Sequence, residues 1–259
     1  MRSFLSIFSW TLLASLAVSG QRIPLPHAAT LILRGHPQTV QVYGTRGVGS
    51  PIIVSSGDGG WTHLSSHVAE MLSAKGFFVV GFDVKAYLES FTSGTTTLGI
   101  RDEPGDYRVL ATYAAKGSVE KPILIGISEG AGLSVLAATD ASTKSAIGGV
   151  IGLGLPDLNE LGWRLKDSII YLTHGVPNEP TFSVEAIVNR VTPLPLAAIH
   201  STHDEFVPLT EVQKIMQKAD PPKKLWVVEA SDHRFSGNTA EFNQRLLEAI
   251  QWVKQNQRR

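Results

Sequence analysis

One serine of the sequence stands in a pattern that makes it a candidate nucleophile. Ser128 separates an apolar, β-branched run, residues 123–127, from a stretch of small residues, 131–139. The run predicts a buried strand, and the small residues predict a helix packed closely against it. Gly126 and Gly130 complete a Gly-x-Ser-x-Gly turn, which holds a serine hydroxyl exposed on a tight bend. We therefore predict that Ser128 attacks an acyl carbonyl, the alternative being a turn without chemistry.

An acid and a base follow this serine in the chain. Asp204 comes shortly after the apolar residues 195–200, and His233 comes shortly after the apolar residues 225–229. Both runs predict strands, and the carboxyl ends of parallel strands gather at one edge of a sheet. The predicted roles are attack by Ser128, proton transfer by His233, and orientation of the imidazole by Asp204.

The developing oxyanion needs hydrogen-bond donors, and two places can supply them. One is the Glu129 amide, at the start of the helix that follows Ser128. The other is a glycine-rich loop after the predicted strand 51–55, where glycines allow the backbone to approach a substrate. The loop consists of Gly57, Asp58, Gly59, Gly60 and Trp61. A simple turn, with Asp58 capping the next helix, is the alternative.

The Glu129 side chain raises a separate question, because a carboxylate beside the oxyanion would oppose the developing charge. We expect this side chain either to point away from the site or to pair with a cation. The cation is either an internal arginine or an amine of the substrate.

The motifs together resemble those of the α/β-hydrolase superfamily over nearly all of the chain after residue 20. They are Gly-Ile-Ser-Glu-Gly, His-Asp-Glu-Phe-Val-Pro and Asp-His-Arg-Phe, in that order. The segment 52–61, followed by 79–83 and Tyr87, is similar to the VirJ/AcvB group of bacterial periplasmic hydrolases, although Glu129 stands where that group is expected to have an aromatic residue. The resemblance implies an aminoacyl-lipid esterase, with lysyl-phosphatidylglycerol as the associated substrate.

The remaining pattern predicts an α/β-hydrolase fold, with a mostly parallel central sheet and helices on both faces. Predicted strands at 30–34 and 39–44 form an antiparallel opening; further strands lie at 77–83 and 146–153, and helices at 63–75, 102–116, 210–218 and 242–253. Residues 84–98 are either a wall of the pocket or an ordinary long loop, and Asp83 and Tyr87 are candidate substrate-binding residues. Residues 155–194 predict a short lid, with an irregular excursion packed on the body as the alternative.

The first twenty residues differ from the rest, since one arginine precedes an apolar stretch and small residues follow it. This pattern predicts a signal peptide at 1–20 and a periplasmic or secreted single domain at 21–259, the alternative being an uncleaved anchor. The formal net charge is zero, and no basic run or phosphate loop predicts a nucleic-acid partner.

Metal binding is not expected from the histidines. His63 and His67 have metal-ligand spacing without the glutamate of a zinc-peptidase motif, and His200 and His203 lie near an Asp204 that the triad already uses. The sequence therefore predicts a serine hydrolase of carboxylic esters without metal or cofactor, acting on a small ester or lipid; a lipid substrate would imply contact with a membrane surface. The alternative is a non-catalytic module that binds a lipid or a protein.

Overall fold

A computed structural model describes residues 25–164 and 179–257. Its main element is an eight-stranded sheet with the strand order β1-β2-β4-β3-β5-β6-β9-β10. A second sheet pairs β7 with β8. The strands are β1 His27–Leu33, β2 His36–Tyr43, β3 Pro51–Ser55, β4 Phe78–Phe82, β5 Ile123–Ile127, β6 Gly149–Leu153, β7 Leu158–Glu160, β8 Thr181–Ser183, β9 Leu196–Ser201 and β10 Lys223–Val228.

The sheet is antiparallel only where β2 pairs with β1 and with β4, and all other pairs are parallel. The inner strands β3, β4, β5 and β6 are buried at every position, which explains why their sequences are continuous apolar runs rather than alternating ones. The predicted antiparallel opening and the mostly parallel sheet are thus confirmed.

Helices cover both faces of the sheet and shield two separate hydrophobic clusters. Residues of α1 and α7 pack on one face, and residues of α2, α3, α4 and α6 pack on the other. The helices are α1 Leu64–Ala74, α2 Val84–Phe91, α3 Glu103–Ala115, α4 Glu129–Ala137, α5 Ala141–Ala146, α6 Leu209–Lys218 and α7 Thr239–Asn256, and a 3₁₀ turn spans Val188–Val191. The α/β-hydrolase arrangement predicted from the motifs is the observed one.

Two segments differ from the predicted elements. The stretch after Asp83 forms the helix α2, with Val84, Tyr87 and Leu88 buried, so residues 84–91 are not a loop. The strand predicted at 146–153 begins only at Gly149, because α5 continues as far as Ala146.

Parts of two other predictions fall outside the described residues. The predicted signal peptide at 1–20 lies there entirely, as do residues 165–178 of the predicted lid. The described parts of the lid segment contain the β7–β8 pair and the 3₁₀ turn. Among residues 25–164 and 179–257, no helix combines the length and the apolar character needed to cross a bilayer.

Backbone hydrogen bonds continue across the sheet beyond the ends of its central strands. The Ser128 amide donates to the Leu153 carbonyl at 2.9 Å, and the Gly154 amide donates to the Ile199 carbonyl at 3.1 Å. The Thr202 amide donates to the Val228 carbonyl at 3.0 Å. The loops that leave β5, β6 and β9 are therefore each bonded to the adjacent strand at the carboxyl edge of the sheet.

A carboxyl group is buried away from this edge, in the first turn of α3. The Glu103 side chain is fully buried, and neither of its oxygens has a hydrogen-bond partner in the part of the chain that the structure describes. Burial, together with the neighbouring Asp106 carboxylate, raises the pKa of Glu103 well above its ordinary value. Glu103 is therefore protonated in the folded protein under conditions that ionise it in the unfolded chain.

The buried Glu103 carboxyl predicts that the folded protein loses stability as pH rises. Between the ordinary pKa of glutamate and the raised pKa, the folded state holds a proton that the unfolded state has released, so the free energy of unfolding falls as pH rises. We expect Glu103→Gln to remove the part of this pH dependence that comes from the Glu103 carboxyl. Chemical denaturation from pH 4 to pH 8 should show a smaller decline for the variant than for the wild type. Parallel pH profiles of the two proteins would contradict the assignment.

Candidate active site

The predicted nucleophile lies on a strained turn between β5 and α4. Ser128 has a φ of 50°, which residues with side chains adopt only when the surrounding structure enforces it. A Cβ atom at Gly126 would lie 2.2 Å from the Gly130 carbonyl oxygen, and one at Gly130 would lie 2.3 Å from the Ser56 carbonyl oxygen. Both flanking glycines are therefore required for the close packing of α4 against β5 and the end of β3.

His233 and Asp204 form a short, buried hydrogen bond. His233 Nδ1 lies 2.6 Å from Asp204 Oδ2, and the Asp204 side chain is 1% exposed. Because the ionised carboxylate only accepts hydrogen bonds, Nδ1 carries the proton and Nε2 remains free to accept one. The two residues reach each other from the loops after β10 and β9, as the sequence predicted.

The Asp204 carboxylate is held in its ionised form. Burial by itself would raise its pKa, but the hydrogen bond from His233 Nδ1 acts in the opposite direction. The amides of Phe206 and Val207 also donate to Asp204 Oδ1, at 3.0 and 2.8 Å. The pKa of Asp204 therefore lies below its ordinary value, which keeps the acceptor for His233 charged.

Three further residues position the His233 imidazole, and no sequence pattern had indicated this role for them. Glu205 accepts a hydrogen bond from the His233 amide at 2.8 Å, and the Phe206 ring meets the imidazole edge-on at 5.6 Å. Gly154 lies behind the pair: a Cβ atom there would be 2.4 Å from His233 Cε1 and 3.3 Å from Asp204 Oδ2. Gly154 directly follows the buried strand β6, and this position was the feature of the sequence that could have indicated its role.

His200 lies behind Asp204 but is neutral, so it does not compete with His233 for the Asp204 carboxylate. Its side chain is fully buried, and Nε2 donates to the Val207 carbonyl at 2.9 Å while lying 3.8 Å from Asp204 Oδ2. Burial lowers the pKa of His200 in spite of the nearby carboxylate. His200 is therefore a neutral packing group beneath the Asp204 loop.

The structure narrows the predicted oxyanion donors. The Gly60 amide donates to the Gly57 carbonyl at 3.0 Å, and the Trp61 amide donates to Asp83 Oδ2 at 3.2 Å. These two amides are already engaged, so the prediction that the whole loop contributes donors is corrected for Gly60 and Trp61.

The donors that remain are the Glu129 amide and the amides at the start of the glycine-rich loop. The Glu129 amide opens α4 directly after Ser128, where backbone N–H groups have no partner within the helix. Gly57 comes close to the nucleophile, since a Cβ atom there would lie 3.4 Å from Ser128 Cβ. Gly57, Asp58 and Gly59 are thus the loop residues whose amides remain as donors for a developing oxyanion, and Gly57 approaches Ser128.

The Glu129 carboxyl points away from the site. It accepts a hydrogen bond from the Glu160 amide at 2.7 Å, and the residue is 7% exposed. Burial raises its pKa well above the ordinary value, and the nearby charges of Asp58 and Glu160 add to the shift. In the described part of the chain no cation pairs with Glu129, so the first of the two expected arrangements is the observed one.

Ser128 and His233 line the same cavity, whose volume is about 430 Å³. The glycine-rich loop forms part of its wall, and the side chains of Trp163 and Phe206 supply aromatic surface. Lys85 and Arg234 add two cations. The Lys85 ammonium lies 4.2 Å above the Trp163 ring and 3.6 Å from Glu89. The cavity beside the predicted nucleophile therefore combines apolar surface, two cations and one carboxyl group, that of Asp58.

Asp83 and Tyr87, predicted to contact substrate, are placed elsewhere. Tyr87 is fully buried in the core, and its hydroxyl donates to Asp106 at 2.6 Å. Asp83 caps α2 by accepting from the Ala86 amide at 3.1 Å. Its side chain faces a different cavity of about 330 Å³. Both residues therefore have structural roles, and the prediction that they line the substrate pocket is corrected.

The histidines considered as metal ligands have other partners. His67 Nε2 lies 2.9 Å from Asn243 Oδ1, and His203 Nδ1 lies 3.0 Å from the Ala230 carbonyl. Over residues 25–164 and 179–257, no group of three His, Cys, Asp or Glu side chains is arranged to hold a metal ion.

Solved structures that resemble this one are α/β hydrolases and esterases of low sequence identity. The α/β hydrolase GrgF from Penicillium sp. sh18 is 12% identical with a TM-score of 0.68, covering 89% of this chain and 99% of that one. The esterase domain of a Rhodothermus marinus protein is 16% identical with a TM-score of 0.60, covering 90% and 99%. Est1E from Butyrivibrio proteoclasticus is 17% identical with a TM-score of 0.62, covering 86% and 99%. The fold is that of the α/β hydrolases.

The family can be stated more narrowly. The family model described as "Bacterial virulence protein (VirJ)" matches residues 50–254, which include the whole cavity and both strand-end loops. The chain belongs to the VirJ family. A search of curated proteins found no match.

Proposed function

We propose that the protein is a serine hydrolase that cleaves carboxylic esters with Ser128, His233 and Asp204. The observation that carries this proposal is the 2.6 Å bond between His233 Nδ1 and Asp204 Oδ2, beside a cavity that His233 shares with Ser128. The strained backbone of Ser128 supports it, because such conformations persist where function requires an exposed nucleophile.

In the proposed reaction, His233 Nε2 takes the Ser128 proton as Oγ attacks the ester carbonyl. The resulting imidazolium is stabilised by the ionised Asp204, and the oxyanion is stabilised by the Glu129 amide and by an amide of Gly57 or Asp58. Collapse expels the alcohol, which receives the proton from His233. Water then attacks the acyl-enzyme by the same route and releases the acid.

The proposed substrate class is an aminoacyl-phospholipid ester, of which lysyl-phosphatidylglycerol is the model. Membership in the VirJ family supports it through the resemblance described for the sequence. The cations Lys85 and Arg234 in the cavity wall suit a substrate with an anionic phosphate. Such a substrate lies at a membrane surface, which agrees with the proposal that the protein is exported to the periplasm or secreted.

Labelling by a fluorophosphonate tests the nucleophile directly. We expect the folded wild-type protein, from residue 21 onward, to become covalently modified at Ser128, and Ser128→Ala to remain unlabelled, because only an activated serine reacts with this probe. Ser118→Ala is the matched control, since Ser118 caps a turn at the opposite end of β5. Intact-mass spectrometry measures the mass that the probe adds to each protein.

Failure of the folded wild type to react with either a fluorophosphonate or a small activated ester would overturn the proposal. A non-catalytic protein that binds a lipid or a protein would then be the better description.

A further inference from the structure

The catalytic cavity contains a carboxyl group that the proposed reaction does not use. Among the described residues that line the cavity, Asp58 is the sole acidic one. It follows Gly57, where an added Cβ atom would lie 3.4 Å from Ser128 Cβ, and its charge contributes to raising the pKa of Glu129. Asp58 therefore lines the same cavity as Ser128 and His233.

Over residues 25–164 and 179–257, Asp58 has no ion-pair partner, because no lysine, arginine or histidine nitrogen comes within 4 Å of its carboxyl. Burial raises the pKa of Asp58 above its ordinary value, and the nearby backbone amides, the His233 ring and the Lys85 ammonium offset that effect only in part. Lys85 itself is placed over Trp163 and beside Glu89.

A negative charge on Asp58 would slow the hydrolysis of a neutral ester. The oxyanion would develop near the amide of the same residue, so the Asp58 carboxylate would repel the charge that the site must stabilise. A positive group on the substrate would remove this cost by neutralising the carboxylate. A residue that disfavours one substrate and favours another determines specificity.

We propose that Asp58 is a specificity-determining residue that binds a cationic group on the carbon atom next to the scissile carbonyl. The α-ammonium of an aminoacyl ester is such a group. The inference rests on the proposed hydrolase function and adds to it that Asp58 recognises the α-ammonium of the substrate. It differs from the sequence-based expectation for Glu129, whose carboxyl is turned away and bonded to the Glu160 amide.

Three glycerol esters that differ only in the position of an amine provide the test. The hexanoyl ester has no amine, the 2-aminohexanoyl ester has an α-ammonium, and the 6-aminohexanoyl ester has a distal ammonium. Values of kcat/KM are measured for the wild type, for Asp58→Asn and for Glu70→Gln. Glu70 lies exposed on α1, so its substitution makes the same change in net charge outside the cavity.

We expect the 2-aminohexanoyl to hexanoyl ratio to fall about 10-fold in Asp58→Asn, which corresponds to about 1.4 kcal/mol of lost discrimination. Glu70→Gln should leave this ratio unchanged. The ratio for the 6-aminohexanoyl ester should change less, because its amine lies farther from the carbonyl. An unchanged 2-aminohexanoyl ratio, or a loss confined to the 6-aminohexanoyl ester, would overturn the proposal.

Binding in the absence of turnover separates this inference from the proposed function. In a Ser128→Ala background, 2-aminohexanamide and hexanamide are titrated and their binding is followed by NMR, with and without Asp58→Asn. Preference for the amine that depends on Asp58 supports the inference even if the wild type hydrolyses no ester. Equal binding of both amides to the Ser128→Ala protein would overturn it even if the wild type is an active esterase.

Discussion

Replacing His233 with glutamine is expected to lower kcat for ester hydrolysis by about 10⁴-fold or more, because loss of the general base disables the whole catalytic unit. Glutamine can still donate a hydrogen bond to Asp204 through its side-chain amide, so the loop should remain in place. Steady-state kinetics with a reactive ester, together with thermal unfolding of each protein, measure the effect and separate it from misfolding.

The matched control for this variant is His203→Gln. His203 lies on the neighbouring loop after β9 and bonds the Ala230 carbonyl, but it does not line the cavity. Its substitution should leave kcat within about twofold, as is usual for a surface change away from the site. If His233→Gln retains activity comparable to that of His203→Gln, His233 is not the base and the proposed mechanism fails.

Substitution of Gly154 by alanine is expected to lower kcat by about 10²-fold although Gly154 contacts no substrate, because a misplacement of about 1 Å in a catalytic group has an effect of this size. The added Cβ would lie 2.4 Å from His233 Cε1 and 2.9 Å from Nδ1. The imidazole must therefore move from the position in which it bonds Asp204. Kinetics and fluorophosphonate labelling rates should fall together.

Gly35→Ala controls for backbone strain, since Gly35 and Gly154 both have a positive φ, 91° and 57°. A Cβ atom at Gly35 meets nothing within 4 Å. Both variants should lose about 1–2 kcal/mol of stability from the unfavourable conformation, and only Gly154→Ala should lose activity. Equal activity of the two variants would show that the position of His233 does not depend on Gly154.

The parts of the fold and site that the sequence predicted correctly are those with local constraints. Gly126 and Gly130 have no room for a side chain, so the turn around Ser128 has a fixed pattern in the sequence. The inner strands are buried on both faces and therefore appear as continuous apolar runs. These features depend on residues a few positions apart, which is the range over which sequence patterns are informative.

The features that the sequence did not predict depend on contacts between distant residues. Tyr87 occupies the core because its hydroxyl meets Asp106 of a later helix, and its sequence neighbours do not reveal that partner. Gly154 is required by His233, which lies much farther along the chain. The helix α2 is a different case: Val84, Tyr87, Leu88 and Phe91 have helical spacing after the cap Asp83, but the polar residues that follow obscured this short pattern.

The hydrogen bonds that connect the loops after β5, β6 and β9 have a consequence for how the protein loses activity. Ser128, Gly154 and Thr202 each donate to the adjacent strand, so the loops around the candidate site belong to the same cooperative unit as the central sheet. Amides bonded in this way exchange with solvent mainly through opening of the sheet as a whole. Heat therefore inactivates the site when the sheet unfolds, and activity serves as a reporter of global unfolding rather than of local fraying.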